Sequence, residues 1–367
     1  MRIHQIVVGA SPGDAVTGCA LMVARALRAA GVESHVYALH RDHRLQGEVH
    51  RLDDYPPGDG ADLLIFHASI GDQRVIDFVL RCREQLVLVY HNITPPKYFD
   101  DFDPVFAGLL RSGRSSLRQL AGRAIGALAD SSYNGDELRA LGMTNVEVVP
   151  PALDLRRLTD AEVDQPLVAQ LADIDSAVVL CVGQLLPHKR TDLAIAAHHL
   201  LNVNYSPTAR LVLAGPPRNR QYANALIRYV QSLNLPTVWL TGEITDSQLA
   251  AFYRRADVLV VPSEHEGFGV PVVEAFHFGV PVIARDFGAI RETSRGAAII
   301  LDHDSGAFEL CEAVAHVLHD ESLREELRRR GRLVAADMTP DRTVVETLAA
   351  LLRVIANAPS TDLAAMR

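Results

Sequence analysis

Short apolar runs punctuate the chain at regular intervals, each followed by a longer stretch of helical periodicity. The runs are "IHQIVVGA", "SHVYAL", "DLLIFHAS" and "QLVLVYHN", and then "AVVLCVGQ", "ARLVLAGP", "TVWLTG", "VLVVPS" and "PVIAR". Strands that alternate with helices predict parallel sheets covered by helices, an α/β doubly wound architecture. The pattern occurs twice. The first series closes near "NVEVVPPALD" and the second opens at Ala177, after a polar, strandless stretch that reads as a linker over roughly 155–176. The expected division is 1–160 for a first Rossmann-like domain and 170–345 for a second. The run "PDRTVVETLAALLRVIANAP" reads as a helix opened by Pro340 and Asp341, and 346–367 is set apart as a C-terminal helical segment that would pack back on the first domain.

Ligands of doubly wound sheets bind beyond the carboxyl ends of the strands, and two such domains can face each other across a cleft. Chemistry is therefore sought where strands run into loops. The strand "VLVVPS" empties into the loop "EHEGFG", and "VPVVEAFHFG" begins a helix with Pro271 in its first turn. Gly267 and Gly269 let backbone approach a ligand closely, and free N–H groups at a helix start suit a phosphate. Glu266 on the loop and Glu274 in the helix can accept hydrogen bonds from ligand hydroxyls beside that phosphate. A polyhydroxylated phosphate ester fits both features.

Composition narrows the options. The 367 residues are 48% apolar and 22% charged, which fits two folded domains, and the net charge of −9 disfavours a nucleic-acid partner. The four cysteines, Cys19, Cys82, Cys181 and Cys311, form no CxxC pair, so neither a zinc site nor a disulfide framework is indicated, and a cytoplasmic setting is expected. No leader-like or membrane-spanning apolar run is present in the sequence.

Glu266 and Glu274, with "GFGVPVV" between them, resemble the E-x7-E motif of retaining glycosyltransferases of family 4. The runs "VGQLLPHKRTDLAIAA" and "LTGEITDSQLAAFYRRADVLVVPS" resemble that family's phosphate-binding and base-binding regions. In the first domain, "GDAVTG", "YHNITPPKYF", "ADSSYNGDEL" and "VVPPALD" are similar to bacterial members that build surface polysaccharides.

This resemblance implies the GT-B fold, two facing Rossmann-like domains with a cleft between them. It also implies transfer of a hexosyl group from a nucleoside diphosphate sugar, GDP-mannose or a UDP-hexose, to a saccharide, lipid-linked or small-molecule acceptor. By the same resemblance Glu266 binds donor-sugar hydroxyls and Glu274 the ribose. The run Gly267, Phe268, Gly269 and Val270 lies against sugar and phosphate, and Lys189 meets the diphosphate. Where the family usually has an arginine this chain has Gln184, so Arg190 is a candidate for the missing charge. Gly242 and Glu243 fall at the nucleobase, His91 near the donor sugar, and Gly13 and Asp14 on the acceptor side. Asp14 also reads as a helix N-cap. No cofactor and no essential metal are implied.

Three features point elsewhere. "GASPGDAVTG" has Ser11 where a dinucleotide fingerprint needs its second glycine, which disfavours a nicotinamide site. "DFD" at 101–103 and "DHD" at 302–304 match the D-x-D metal motif of the other glycosyltransferase fold but lack its strand order. Arg111, Arg114, Arg118 and Arg123 lie among apolar residues over 105–128, a possible basic face for the inner membrane surface. The alternatives to a transferase are a GT-B sugar-nucleotide epimerase and a catalytically silent nucleotide-sugar-binding partner.

Overall fold

The computed structural model describes residues 1–56 and 58–358. Its backbone forms two parallel sheets. The first contains β1 (Ile3–Ala10), β2 (Val36–Arg41), β3 (Val49–Arg51), β4 (Leu63–Ala68), β5 (Gln85–Tyr90), β6 (Gly126–Ala129) and β7 (Val146–Val148), in the order β3-β2-β1-β4-β5-β6-β7. The second contains β8 (Val178–Val182), β9 (Arg210–Ala214), β10 (Val238–Gly242), β11 (Val258–Val261), β12 (Val282–Arg285) and β13 (Ile299–Leu301), in the order β10-β9-β8-β11-β12-β13. Every strand pair is parallel.

Each sheet starts in its middle, runs out to one side and then crosses to the other. The order therefore reverses beside β1 in the first sheet and beside β8 in the second. Such reversals open crevices at the carboxyl ends of the strands, the usual ligand positions of this architecture.

The strands are apolar because the sheets are buried. All six residues of β4, "LLIFHA", are buried, including the polar His67. Ile3, Ile65, Val87 and Leu128 pack with Val23 and Leu27 of the helix Ala15–Ala29 and with Leu351 and Val354 of the helix Pro340–Ala356. In the second sheet Val179, Leu211, Val258 and Ile283 pack with Ile195 and Val314, from the helices Thr191–Asn204 and Ala307–His319.

The chain divides into two compact units, Met1–Pro96 with Val105–Asp154 and Pro340–Arg367, and Lys97–Pro104 with Leu155–Thr339. Three details differ from the division read off the sequence. The stretch 155–176 is not strandless linker alone but carries the helices Arg156–Thr159 and Gln165–Ala172, the latter capped by Asp164, whose carboxylate accepts from the Leu167 amide. Lys97–Pro104 groups with the second unit, because Phe99 is fully buried beside His188 and Phe102 packs edge-on against Tyr222. The final helix starts at Pro340, as its sequence reads, so the division set at 346 cuts through it, and residues 359–367 of that expectation lie outside the described residues. It is held in the first unit by Thr343 Oγ1, which accepts from the Leu153 amide, and by Asn145, which donates to the Val354 carbonyl. The strands β3, β6 and β13, three or four residues long, lie outside the nine apolar runs read from the sequence.

Candidate functional site

In the second unit the residues of interest sit on the loops after β8 and β11, the two strands flanking the reversal. After β8 the backbone passes Gly183 and Gln184 and makes a short turn over Pro187–Lys189. Arg190, in left-handed conformation, starts the helix Thr191–Asn204. A small pocket is lined here by Cys181, Gly183, Gln184, Lys189, Thr191 and Ser263.

Lys189 reaches across to the loop after β11, its Nζ donating to Glu266 Oε1 at 2.7 Å. Glu266 is 7% exposed, so burial strengthens the pairing while the ammonium keeps two further donors. The loop is clamped from the other side. The Glu266 carbonyl accepts from the Ala289 amide at 3.0 Å, and a Cβ on Gly288 would stand only 2.1 Å from that carbonyl oxygen. Gly288 therefore has to remain glycine for the loop to lie there.

Gly267 follows, and Phe268 is buried, with its carbonyl accepting from Thr293 Oγ1 at 2.6 Å. Gly269 caps the helix Val270–His277 at φ 93, a conformation open to glycine. Val270 is the first helical residue, and Pro271 fills the first turn where no amide donor is needed.

Glu274 lies one turn further on and is 2% exposed. One carboxylate oxygen accepts from Arg157 Nη2 and the other from the Tyr253 hydroxyl at 2.8 Å. Burial raises its carboxyl above the ordinary range, against the opposing pull of Arg157. Arg157 also donates to Asp246, which ties the carboxylate to a third element. Any ribose hydroxyl reaching Glu274 would have to share these oxygens.

Arg190 is committed elsewhere. Its guanidinium donates to Asp192 and Glu264, and hydrogen bonding to Asp192 raises its pKa. Glu264 also faces the buried Arg285 at 3.5 Å. His188, one residue before Lys189, is buried, its Nδ1 has no partner, and burial holds it well below the ordinary histidine range. Gly242 closes β10 at φ 72 and Glu243 is exposed after it.

The first unit places a second group at the ends of β1, β4 and β5. Gly13 turns the chain at φ 73, and Asp14 caps the helix Ala15–Ala29, accepting from Thr17 N at 2.8 Å and Thr17 Oγ1 at 2.7 Å. His91, just past β5, lies between two partners. Its Nδ1 is 2.7 Å from Asp130 Oδ2 and its Nε2 is 2.8 Å from His67 Nδ1. His67 in turn contacts Gln5 Oε1 at 2.8 Å.

Arg157, Tyr253, Glu264, His67, Asp130 and Gln5 also belong to these groups, although their sequence surroundings predict no role for them. For His67 a signal existed, a histidine inside a fully apolar strand, since buried polar side chains need partners.

The remaining motifs are placed more simply. Asp101 and Asp103 lie between a short turn and the helix Pro104–Arg123, and Asp302 and Asp304 follow β13. The basic face expected over 105–128 is thinner than its sequence suggests. Arg114 donates to Glu137 and the Ile93 carbonyl, and Arg123 to the carbonyls of Cys82 and Glu84. Among the described residues no helix is long and apolar enough to cross a membrane.

Comparison with known proteins bears on this arrangement. Residues 168–334, which include both loops of the second unit, match the family described as Glycosyl transferases group 1. A D-inositol 3-phosphate glycosyltransferase of Nocardia farcinica is 29% identical over 60% of this chain and 49% of its own length. A GDP-mannose-dependent alpha-mannosyltransferase of Mycobacterium tuberculosis is 29% identical over 59% of this chain and 53% of its own. The chain thus spans about half the length of the curated relatives it matches. Anabaena Alr3699/HepE, solved in complex with UDP-glucose, superposes with a TM-score of 0.75 over 95% of this chain and 100% of that one, at 18% identity. With two doubly wound parallel sheets in one chain, that superposition decides the architecture. The fold is GT-B.

Proposed function

We infer that this GT-B protein is a retaining glycosyltransferase that moves a hexosyl group from a nucleoside diphosphate sugar to an acceptor hydroxyl. The observation that carries the reading is the Lys189–Glu266 contact, which joins the loops at the reversal of the second sheet within the region matching the glycosyl transferase family. Lys189 is a cation with spare donors, Glu266 a buried acceptor, and Gly269 opens a helix N-terminus beside them in sequence. Such a set suits a departing diphosphate on one side and sugar hydroxyls on the other.

In this mechanism Lys189 stabilises the negative charge that develops on the leaving diphosphate. Glu266 orients the sugar through its hydroxyls, and Glu274, held rigid by Arg157 and Tyr253, receives the ribose. With no carboxylate nucleophile assigned in the first unit, the acceptor attacks on the face the diphosphate leaves, and the diphosphate takes the acceptor's proton. Retention follows from that geometry, and no metal is required where Lys189 and the helix N-terminus carry the charge.

One relative is named for GDP-mannose and a structural neighbour was solved with UDP-glucose, so both donor types belong in the test. Acceptors to try are saccharides of the surface-polysaccharide kind, lipid-linked saccharides, and a phosphorylated polyol of the type named for the Nocardia relative. Reaction at the cytoplasmic side of the membrane is part of the same proposal.

The test is a thermal-shift panel of nucleoside diphosphates and their sugars, since preferential binding raises stability with affinity. Transfer assays with and without chelator follow, with product anomeric configuration read by NMR. Binding of one donor type and a retained configuration support the reading. Inversion, or activity lost to chelator and restored by manganese or magnesium, refutes that part of it. A second reading, a catalytically silent partner, is favoured by Gln184 and by the commitment of Arg190 to two carboxylates. It predicts donor binding with no turnover. Donor consumption without any acceptor would point to an epimerase.

A further inference from the structure

The chain of contacts from Asp130 to Gln5 fixes a proton count. The Gln5 amide is oriented by its Nε2, which donates to the Ala20 carbonyl at 3.0 Å, so Oε1 faces His67 and can only accept. His67 Nε2 must then carry a hydrogen, which leaves Nδ1 as the acceptor of a neutral ring. His91 Nε2, 2.8 Å from that nitrogen, must carry a hydrogen too. At the other end a carboxylate oxygen stands 2.7 Å from His91 Nδ1, which requires a third hydrogen. Both ends of the chain accept, so the two rings need three protons where two neutral imidazoles have two.

We propose that His91 is held as an imidazolium balanced by Asp130, and that Gln5, His67 and Asp130 are positioning residues maintaining this charge at the carboxyl end of β5. A protonated Asp130 would satisfy the same bonds, but imidazole is the stronger base of the two chemical types, and 2.7 Å suits a charge-assisted contact. Burial, and next the neighbouring His91, hold His67 well below the ordinary histidine range, consistent with its neutral role. Cys19, whose sulfur lies near the two rings, is pushed up to about 12 by burial and stays a thiol.

Two consequences follow. Cys19, His67 and His91 bring ligand atoms within 4.8 Å of one another, the spread of a metal site. Yet two nitrogens on a tetrahedral zinc at ~2.0–2.1 Å stand about 3.3–3.4 Å apart. The 2.8 Å between His67 and His91 is instead a hydrogen-bond distance. Moreover, both ring nitrogens of His91 are occupied. It has none left to offer a ligand, so its side chain acts through charge, attracting an anionic ligand group. This functional half rests on the transferase reading above; the proton count does not.

The decisive variant is Gln5→Met. With the terminal acceptor gone, His67 can move its hydrogen to Nδ1 and donate to His91, and two protons then satisfy the pair. Nitrogen-15 NMR of the histidine rings in the full chain at pH 7 reads this directly, with His67→Asn and His91→Asn used for assignment. In the wild type the His91 ring should carry hydrogens on both nitrogens, and Gln5→Met should lose that signature. Its turnover should fall by about tenfold with nucleotide affinity kept, less than the roughly 10²–10³-fold for a donor at the reacting atoms.

Two neutral rings in the wild type, or a protonated Asp130, would overturn the charge assignment. A doubly protonated ring surviving Gln5→Met would remove Gln5 from the device, and unchanged turnover despite a lost signature would remove its functional role. Displacement of the ring hydrogens by one equivalent of zinc would replace it with a metal centre. The spectrum needs neither donor nor acceptor, so it remains decisive even if the chain proves not to be a transferase.

Discussion

Both units place buried polar groups at the reversal of a parallel sheet, but they neutralise them differently. In the second unit each buried carboxylate meets a cation from another element, Glu266 with Lys189 and Glu274 with Arg157. In the first unit the buried carboxylate of Asp130 meets His91, the ring proposed above as its imidazolium counterion, and a hydrogen-bond chain through His67 to Gln5 fixes that ring. Ion pairs with donors to spare can exchange partners with a charged ligand. A closed chain has no spare nitrogen and serves to fix one ring. The second unit thus has ion pairs that a charged ligand could enter, while the first holds a fixed environment beside its own strand ends.

The sharpest test removes the exchangeable cation. Lys189→Ala should lower turnover about 10²–10³-fold, the usual cost of losing a donor to developing negative charge. Steady-state kinetics with parallel nucleotide titration check it. A loss confined to KM would make Lys189 a binding residue with no preference for the transition state.

Next in size is the Arg157 anchor. Arg157→Ala leaves the buried Glu274 with Tyr253 but without its cation, and removing one member of a buried ion pair costs about 3 kcal/mol. Glu274→Gln should cost less, because it removes the charge but keeps an acceptor for the Tyr253 hydroxyl. Urea denaturation of both variants tests this order; if Glu274→Gln is the more damaging, the anchor is not chiefly electrostatic. In the first unit Gln5→Met should cost about 2 kcal/mol, the net worth of the two buried hydrogen bonds to His67 and the Ala20 carbonyl.

These pairings also show what could be read from sequence. Nine of the strands announce themselves as apolar runs bounded by turn residues, because burial in a parallel sheet demands it of each residue separately. The glycines around Glu266 are legible for the same local reason. Lys189 and Glu266 lie 77 positions apart, and Arg157 and Glu274 lie 117 apart, so their contacts depend on the finished fold. Arg157 sits in "LDLRRLTD", which has no periodicity to flag it and reads as linker. Arg190 shows the converse, since its proximity to Lys189 in sequence suggested a phosphate ligand while its guanidinium meets Asp192 and Glu264.

Acid should act on the second unit through its buried histidines. His198 donates from Nε2 to Thr237 Oγ1, whose own hydroxyl goes to Asn202, and its Nδ1 has no partner. Burial lowers its pKa to about 4. Because the folded value lies below the unfolded one, the unfolded chain binds the proton first. The contribution is complete above about pH 6.5 and is lost as pH falls towards 4, on the order of 3 kcal/mol in all. His188 adds to the same limb, and His4 gives the first unit a limb of the same sign. Glu274, with its raised carboxyl, works in the opposite direction. His198→Gln keeps a donor for Thr237 and should flatten the acid limb of stability against pH; an unaltered limb would assign the loss to other groups.

The smallest effect asks whether the first unit's Asp14 does more than start a helix. Its carboxylate accepts from the Thr17 amide and hydroxyl, so the capping role is complete without any ligand. Loss of such a cap costs about 1 kcal/mol, and Asp14→Ala should lower stability by that amount. Asp14→Asn can accept from the same amide and should restore most of it. The two roles separate at this variant, because the amide keeps the cap while removing the negative charge. Should acceptor KM rise in Asp14→Asn while stability returns, the carboxylate contacts the acceptor as well as the helix. If KM follows stability in both variants, Asp14 is a cap and makes no contact with the acceptor.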